Sequence, residues 1–227
     1  MESLVSPRQL ALALDHVESF ARDDFLSGPS NAAALSLIDR WPDWPDRVMV
    51  LLGPEGSGKS HLAAIWAAQA GARFLAARSL SVANLFSAFA TGALVVEDLA
   101  PASIDEHALF HLLNLAREEG AFMLLTTRSA PAGWPVTIRD LGSRLRALPV
   151  VALAPPDDAM LRAVLVKLIA DRQLQVDESL LHFLVNRIER SFAAARAAVI
   201  RLDEVAMRQQ RPVNRALAAE LFRAGIR

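Results

Sequence analysis

Eight residues constrain this chain more than any others. Gly53-Pro54-Glu55-Gly56-Ser57-Gly58-Lys59-Ser60 follows a continuous apolar run, Val48–Leu52, and precedes a stretch, residues 60–70, that reads as a helix. The spacing is that of the Walker A loop, and strand, loop and helix in that order are the context in which such a loop works. An apolar pentapeptide followed by glycine suits a strand buried on both faces of a parallel sheet. The glycines let backbone N–H groups turn inward around phosphate oxygens, with the positive end of the helix dipole behind them. Lys59 would reach the outer phosphates, and the Ser60 hydroxyl would ligate Mg2+. Only two of the 24 Lys and Arg residues are lysine. A lysine at 59 is therefore not what general usage would supply, and a compact ammonium fits a phosphate cradle where a guanidinium does not.

Further apolar runs at Arg73–Ala77, Ala93–Val96, Phe122–Leu125 and Val150–Leu153 are separated by helical stretches, and this alternation predicts an α/β fold with a doubly wound parallel sheet. Upstream, Asn31–Arg40 reads as a helix, and Trp41-Pro42-Asp43-Trp44-Pro45-Asp46 as a proline-broken connector. After Pro155-Pro156 the strands stop. Asp157, Asp177 and Ser191 stand as N-caps before apolar-periodic segments that run to Ala170, Arg190 and Gln209, and Pro212–Arg223 makes a fourth. The expected organisation is a tail over residues 1–24, an α/β nucleotide-binding domain over 25–155 and a small all-helical domain over 156–227. A length of 227 residues carries one or two domains.

A second acidic element fits the first. Leu94-Val95-Val96-Glu97-Asp98 is an apolar strand that ends in two carboxylates, as a Walker B strand does. A parallel sheet brings the C-terminal ends of its strands to one edge, so these acids can meet a cation held on the phosphate loop. In this reading Glu97 holds the metal through water and Asp98 polarises the attacking water.

Composition removes other chemistries. There is no cysteine, which excludes disulfides, thiolate zinc sites and cysteine nucleophiles. His107 and His111 share a helical face but lack a third metal ligand. A net charge of −1 argues against a surface built wholly for nucleic acid, although from Arg187 onward nine Arg face four acids. No signal peptide or membrane span is read, and a cytoplasmic location is expected.

Gly28-Pro29-Ser30-Asn31, Gly56-Ser57-Gly58-Lys59-Ser60-His61-Leu62, and Ser143-Arg144-Leu145 ahead of Pro155-Pro156 resemble the AAA+ core of the DnaA-like family, from about residue 18 onward. Within that family the likeness is to the Hda type of regulator found in alphaproteobacteria. The resemblance implies an AAA+ sheet domain followed by a helical lid. It also implies bound ADP or ATP with Mg2+, with Asn31, His61 and Thr127 joining residues 53–60 in the nucleotide site. Arg144 matches the family's arginine finger, which reaches into a neighbouring subunit's nucleotide, and Arg146 is a close second candidate. Two positions depart from the family pattern. Arg128 stands where the family carries an acid, and Ala193 stands where it has the second sensor arginine, with Arg196 three residues further on. Tight nucleotide binding with weak intrinsic hydrolysis is the expectation. The family's C-terminal helix-turn-helix domain has no counterpart, so reading of origin DNA is not expected.

The hexapeptide Gln9-Leu10-Ala11-Leu12-Ala13-Leu14 is similar to peptides that dock on the bacterial sliding clamp. Gln9 would hydrogen-bond at a rim while Leu10, Leu12 and Leu14 enter apolar pockets, at about 1.5–3 kcal/mol per buried leucine. From its residues alone it reads equally as a helix start packed on its own domain. The resemblance implies a clamp-associated regulator that meets DnaA, stimulates its ATP hydrolysis through Arg144 and restrains replication initiation. Duplex DNA threaded through the clamp would be a non-specific contact of the basic helices. The alternatives are a self-sufficient AAA+ ATPase, such as a helicase loader or remodelling factor, and an adaptor that does not affect DnaA's nucleotide. Homodimer and monomer both stay open.

Overall fold

The protein, as a computed structural model, is described over residues 20–223. The hexapeptide 9–14 lies outside the described residues. Five parallel strands, β1 (Val48–Leu52), β2 (Arg73–Ala76), β3 (Ala93–Leu99), β4 (Phe122–Thr127) and β5 (Val150–Ala152), form one sheet in the order β2-β3-β4-β1-β5. The helices before β5 are α1 (Ala32–Asp39), α2 (Lys59–Ala70), α3 (Leu85–Ala88), α4 (Glu106–Glu118) and α5 (Arg139–Ala147). Four more follow it: α6 (Asp158–Asp171), α7 (Glu178–Val185), α8 (Phe192–Gln209) and α9 (Arg215–Arg223).

The middle of the sheet is buried on both faces, which is why β1 and the first four residues of β3 and β4 are apolar. On one face Val48, Val50, Leu94, Val96, Met123 and Leu125 share a core with Leu109 and Leu112 of α4. On the other, Met49, Leu51, Val95 and Leu124 share one with Leu37 and Ile38 of α1 and Leu62, Ile65 and Trp66 of α2. Each large side chain of α2 contributes about 1.5–3 kcal/mol by leaving water. That burial fixes the helix and, through it, the loop at its start. Trp44 of the connector stacks on Trp66 and donates its indole N–H to Leu37 O.

The four helices after β5 have an apolar core of their own, including Leu161, Leu165, Leu180, Leu184, Val199 and Leu202. Asp157, Asp177 and Ser191 accept the backbone N–H groups of Met160, Leu180 and Ala194, so all three caps expected from sequence form. The second segment is shorter than its pattern suggests. It ends at Val185 and not at Arg190, because Asn186 turns its side-chain amide back onto His182 O.

Arg22 and Asp24 make contacts with both helical layers. Arg22 donates to both carboxylate oxygens of Asp39 in α1, at 3.1 and 2.9 Å, and Asp24 lies 2.8 Å from Lys167 of α6.

Candidate functional site

The loop of residues 53–58 joins β1 to α2 at the carboxyl edge of the sheet. Gly53 N–H donates to Thr127 O at the end of β4, which anchors the first turn of the loop. A Cβ at Gly53 would lie 2.8 Å from Ser57 Oγ and 2.9 Å from Leu153 O, so only glycine fits there. Gly58 caps α2 at φ +96°, a backbone conformation that disfavours other residues. The buried Lys59 folds back over the loop, and its Nζ donates to Gly53 O and Pro54 O at 2.7 Å each. Burial, followed by the nearby Arg128 charge, pushes the Lys59 ammonium below its ordinary pKa, while Asp98, Glu55 and Glu97 oppose the shift.

The acids of β3 are set by an irregularity in the sheet. Val96 pairs with Leu125, but Leu99 pairs with Thr127, so Glu97 and Asp98 together oppose Thr126. Such a bulge re-aims side chains beside a site. Asp98 takes φ +56° and donates its N–H to Thr126 Oγ1 at 3.0 Å. Its exposed side chain lines the cleft above the loop, as do Lys59 and Ser60. Glu97 sits one residue back, with Oε1 buried and unpartnered.

That cleft, of about 820 Å³, lies between the sheet domain and the four-helix part. Phe20, Phe25, Leu26 and His61 wall it from the sheet side, and Leu168, Phe192 and Ile200 from the lid side. Phe20 and Phe25 meet the His61 ring edge-on, with centroids 5.3 and 5.2 Å away. Ala193 and Arg196 of α8, three residues apart on one helical face, both line the cleft.

Asn31 and Thr127, expected to touch nucleotide directly, act one step behind the cleft wall. Asn31 is buried, with its Oδ1 accepting from Gly28 N–H and its Nδ2 donating to Leu26 O, so it shapes the turn that presents Leu26. The Thr127 hydroxyl is spent on Ser129, donating to its carbonyl at 3.0 Å. The polar side chain that does enter the cleft beyond β4 is Arg128, which donates to Glu55 Oε2 at 2.5 Å. Sequence reasoning names Arg128 only as a departure from the family pattern and does not single out Thr126, Asp24 or Lys167. One signal was present: the chain's two lysines, Lys59 and Lys167, line this same cleft.

Arg144 lies elsewhere. It lines a second cleft with Arg47, Arg117, Asp140 and Ser143, and the two clefts share no lining residue. Its guanidinium rests over the Phe110 ring at 5.3 Å. Arg146 is exposed and donates to Ser143 Oγ.

The residues fit a nucleoside polyphosphate with a divalent cation. Ser57 Oγ and Glu97 Oε1 are buried without partners, and a Cβ at Gly53 would fill the cradle. Among the described residues no group of three His, Cys, Asp or Glu side chains could hold a metal. A cation here would therefore share its ligands with phosphate oxygens, as magnesium commonly does. Among the described residues no helix is long and apolar enough to cross a membrane.

No family model matches the chain. It is 30% identical over 183 residues to the chromosomal replication initiator protein DnaA of Caulobacter sp. (strain K31), covering 70% of this chain and 37% of that protein. It is 26% identical over 192 residues to DnaA 2 of Chlamydia caviae, covering 73% and 42%. The chain thus spans about two fifths of the length of these relatives. Domain III of Thermotoga maritima DnaA superposes with a TM-score of 0.74 at 19% identity, over 92% of this chain and 97% of that one. DnaA bound to AMPPCP and single-stranded DNA gives 0.68 at 15%, over 84% and 68%. The Thermotoga maritima RuvB Holliday junction branch migration motor gives 0.71 at 16%, over 91% and 72%. The sheet order, the phosphate loop and the helices after β5 give this chain an AAA+ fold, similar in sequence and structure to that of DnaA.

Proposed function

We propose that this chain is a clamp-associated regulator of the Hda type, which stimulates ATP hydrolysis by the initiator DnaA and so restrains replication initiation. It binds ADP or ATP in its own cleft. Lys59 and the loop N–H groups hold the phosphates, while Ser60 and Glu97 hold Mg2+, with Asp98 beside them. Magnesium, when bound, neutralises charge on the phosphate oxygens. Residues 9–14 tether the protein to the DNA polymerase III sliding clamp in the cytoplasm, where the basic helices meet duplex DNA without sequence preference.

The observation that carries this reading is the position of Arg144. It is separated from the cleft above the phosphate loop and lines a different one, which supports a role toward a phosphate on another molecule. The guanidinium rests over the Phe110 ring, and a finger supplied in trans is worth about 10³–10⁵ in rate. DnaA turnover measured with clamp-loaded DNA tests this. Wild type stimulates, Arg144→Ala does not, and Arg146→Ala retains most of the effect. Equal stimulation by wild type and Arg144→Ala removes the role. For the tether, a Gln9→Ala, Leu10→Ala chain loses co-elution with the clamp.

The second reading, a self-sufficient ATPase, draws support from Asp98, whose carboxylate lines the cleft together with Lys59. Robust turnover without DnaA favours it, whereas near-silence with retained nucleotide favours the regulator.

A further inference from the structure

The helices after β5 carry an excess of positive charge that the cleft above the phosphate loop does not use. Of the four acids from residue 187 onward, Asp203 is taken by Arg172, Glu204 by Arg201 and Glu220 by Arg211. Among the described residues Arg187 and Arg215 enter no ion pair. Both are exposed, and both lie over one ring, with Arg187 Cζ 5.8 Å and Arg215 Cζ 6.0 Å from the Phe183 centroid. Two guanidiniums from different elements are thereby held within about 12 Å of each other. Asp177, the N-cap of α7, is spent on its own helix. Its carboxylate accepts the Leu180 N–H and the Ser179 hydroxyl, which hold it below its ordinary pKa more than the Arg215 charge does. Arg215 also opens α9, where the helix dipole disfavours a cation and no acid shares the first turn. Like charges kept together without a counter-charge cost stability, and a bound anion removes that cost.

The chemistry of the patch selects the anion. With guanidiniums over it and Phe222 edge-on against it, the half-buried Phe183 supports the cations and is no stacking platform for a base. What it presents to solvent is charge, which holds phosphate and reads no sequence. A duplex carries one negative charge per about 1.7 Å of its axis, more densely than a single strand, so a span of about 12 Å faces several phosphates. Planar guanidiniums take phosphate oxygens two at a time. We infer that Arg187 and Arg215 form a sequence-independent binding site for the phosphate backbone of duplex DNA. This rests on the duplex contact of the proposed function and assigns the residues that make it.

Fluorescence anisotropy of the full chain with short labelled duplexes of arbitrary sequence, between about 50 and about 200 mM salt, tests the site. The wild-type chain binds, and the logarithm of its affinity falls linearly with the logarithm of salt concentration. Arg187→Gln with Arg215→Gln lowers that slope by about 1.8, the counterions of two phosphates, and weakens different sequences alike. Arg162→Gln with Arg201→Gln removes the same charge from arginines paired with Glu178 and Glu204, and leaves the slope unchanged. None of the four lines the cleft above the phosphate loop, so retained ATP affinity reports a folded chain. Equal loss from both double variants assigns binding to net charge and overturns the site. Tighter binding of a single strand than of the duplex overturns it as well, as does equal binding of polyglutamate. The measurement contains neither DnaA nor clamp, so the role of Arg144 can fail while this site stands. Duplex binding indifferent to residues 187 and 215 removes the site alone, whereas wild type that holds no duplex removes the DNA contact from the proposed function with it.

Discussion

The amide N–H of Phe192 donates to the carbonyl oxygen of Gly56 at 2.9 Å. The first residue of the lid's longest helix is thereby bonded to the apex of the phosphate loop. A second bridge runs beside it, since Lys167 of α6 pairs with Asp24 of the segment that walls the cleft. The position of the lid and the shape of the cradle are consequently one variable, and whatever reshapes the loop is felt by α6 and α8.

Gly56→Ala tests that coupling. Gly56 takes φ +67°, and a Cβ there would lie 2.8 Å from Ser191 Cβ and 3.1 Å from Ala193 Cβ. The strained backbone and the displaced helix start cost about 1–3 kcal/mol together. Urea unfolding should report that loss, and nucleotide titration an affinity lower by about ten-fold or more. An alanine chain that binds nucleotide at full strength would show that the loop tolerates retreat of the lid.

Much of this site is legible in the chain itself, and what is hidden has a common cause. The phosphate loop and the caps Asp157, Asp177 and Ser191 are local devices, with each residue acting on neighbours a few positions away, so spacing reveals them. The identities of Glu97 and Asp98 are equally plain. Their aim is not, because the bulge exists only through the pairing of β3 with β4, and Thr126 becomes important only as the residue opposite two others. For the same reason strand alternation does not reveal that Thr126 accepts from the Asp98 N–H. Arg128 met Glu55, and Lys167 met Asp24, across distances in sequence that no period connects. The rarity of lysine singled out Lys59 and applied with equal force to Lys167.

Thr126→Val isolates the bulge. The substitution keeps the shape of the side chain and removes the acceptor for Asp98 N–H. A backbone donor left unpaired there costs about 1–3 kcal/mol, which denaturant unfolding resolves. With Asp98 less firmly aimed, the gain in nucleotide affinity on adding Mg2+ should shrink relative to wild type. A valine chain with unchanged stability and unchanged Mg2+ dependence would assign the positive φ of Asp98 to packing alone.

Glu106 positions the helix that carries Arg144. Its carboxylate accepts the N–H groups of Thr137 and Ile138 and the Thr137 hydroxyl, so it serves the start of α5, where Ile138 supplies no side-chain cap. These bonds hold the carboxyl below its ordinary pKa of 4.5. The unfolded chain takes up the proton first, so the contribution is complete above about pH 4.5 and is lost as pH falls through the folded value. Glu106→Gln should lower the thermal midpoint at neutral pH and flatten its decline in acid. Under the proposed role toward DnaA it should also weaken the stimulation while leaving nucleotide affinity unchanged, because Glu106 does not line the cleft above the phosphate loop. Full stimulation by the glutamine chain would mean that α5 holds Arg144 in place without it.

His61 should make the cleft sensitive to pH near neutrality. Its ring is flanked edge-on by Phe20 and Phe25, and Nε2 lies 3.2 Å from Ala21 O. Burial pushes its pKa below the ordinary 6.5, the Arg196 and Lys167 charges push the same way, and Ala21 O and Asp24 oppose them. The folded protein therefore holds the neutral ring while the unfolded chain protonates first. Stability from this group is fully present above about pH 6.5 and is lost as pH falls through the folded pKa. Between about pH 7.5 and about pH 5.5 the urea midpoint of wild type should fall, and that of His61→Phe should fall less, because phenylalanine keeps the ring packing and binds no proton. The same variant should show a weaker pH dependence of nucleotide affinity over that interval, because His61 lines the cleft and phenylalanine binds no proton. Parallel declines in the two proteins would move the source of the pH dependence to another group.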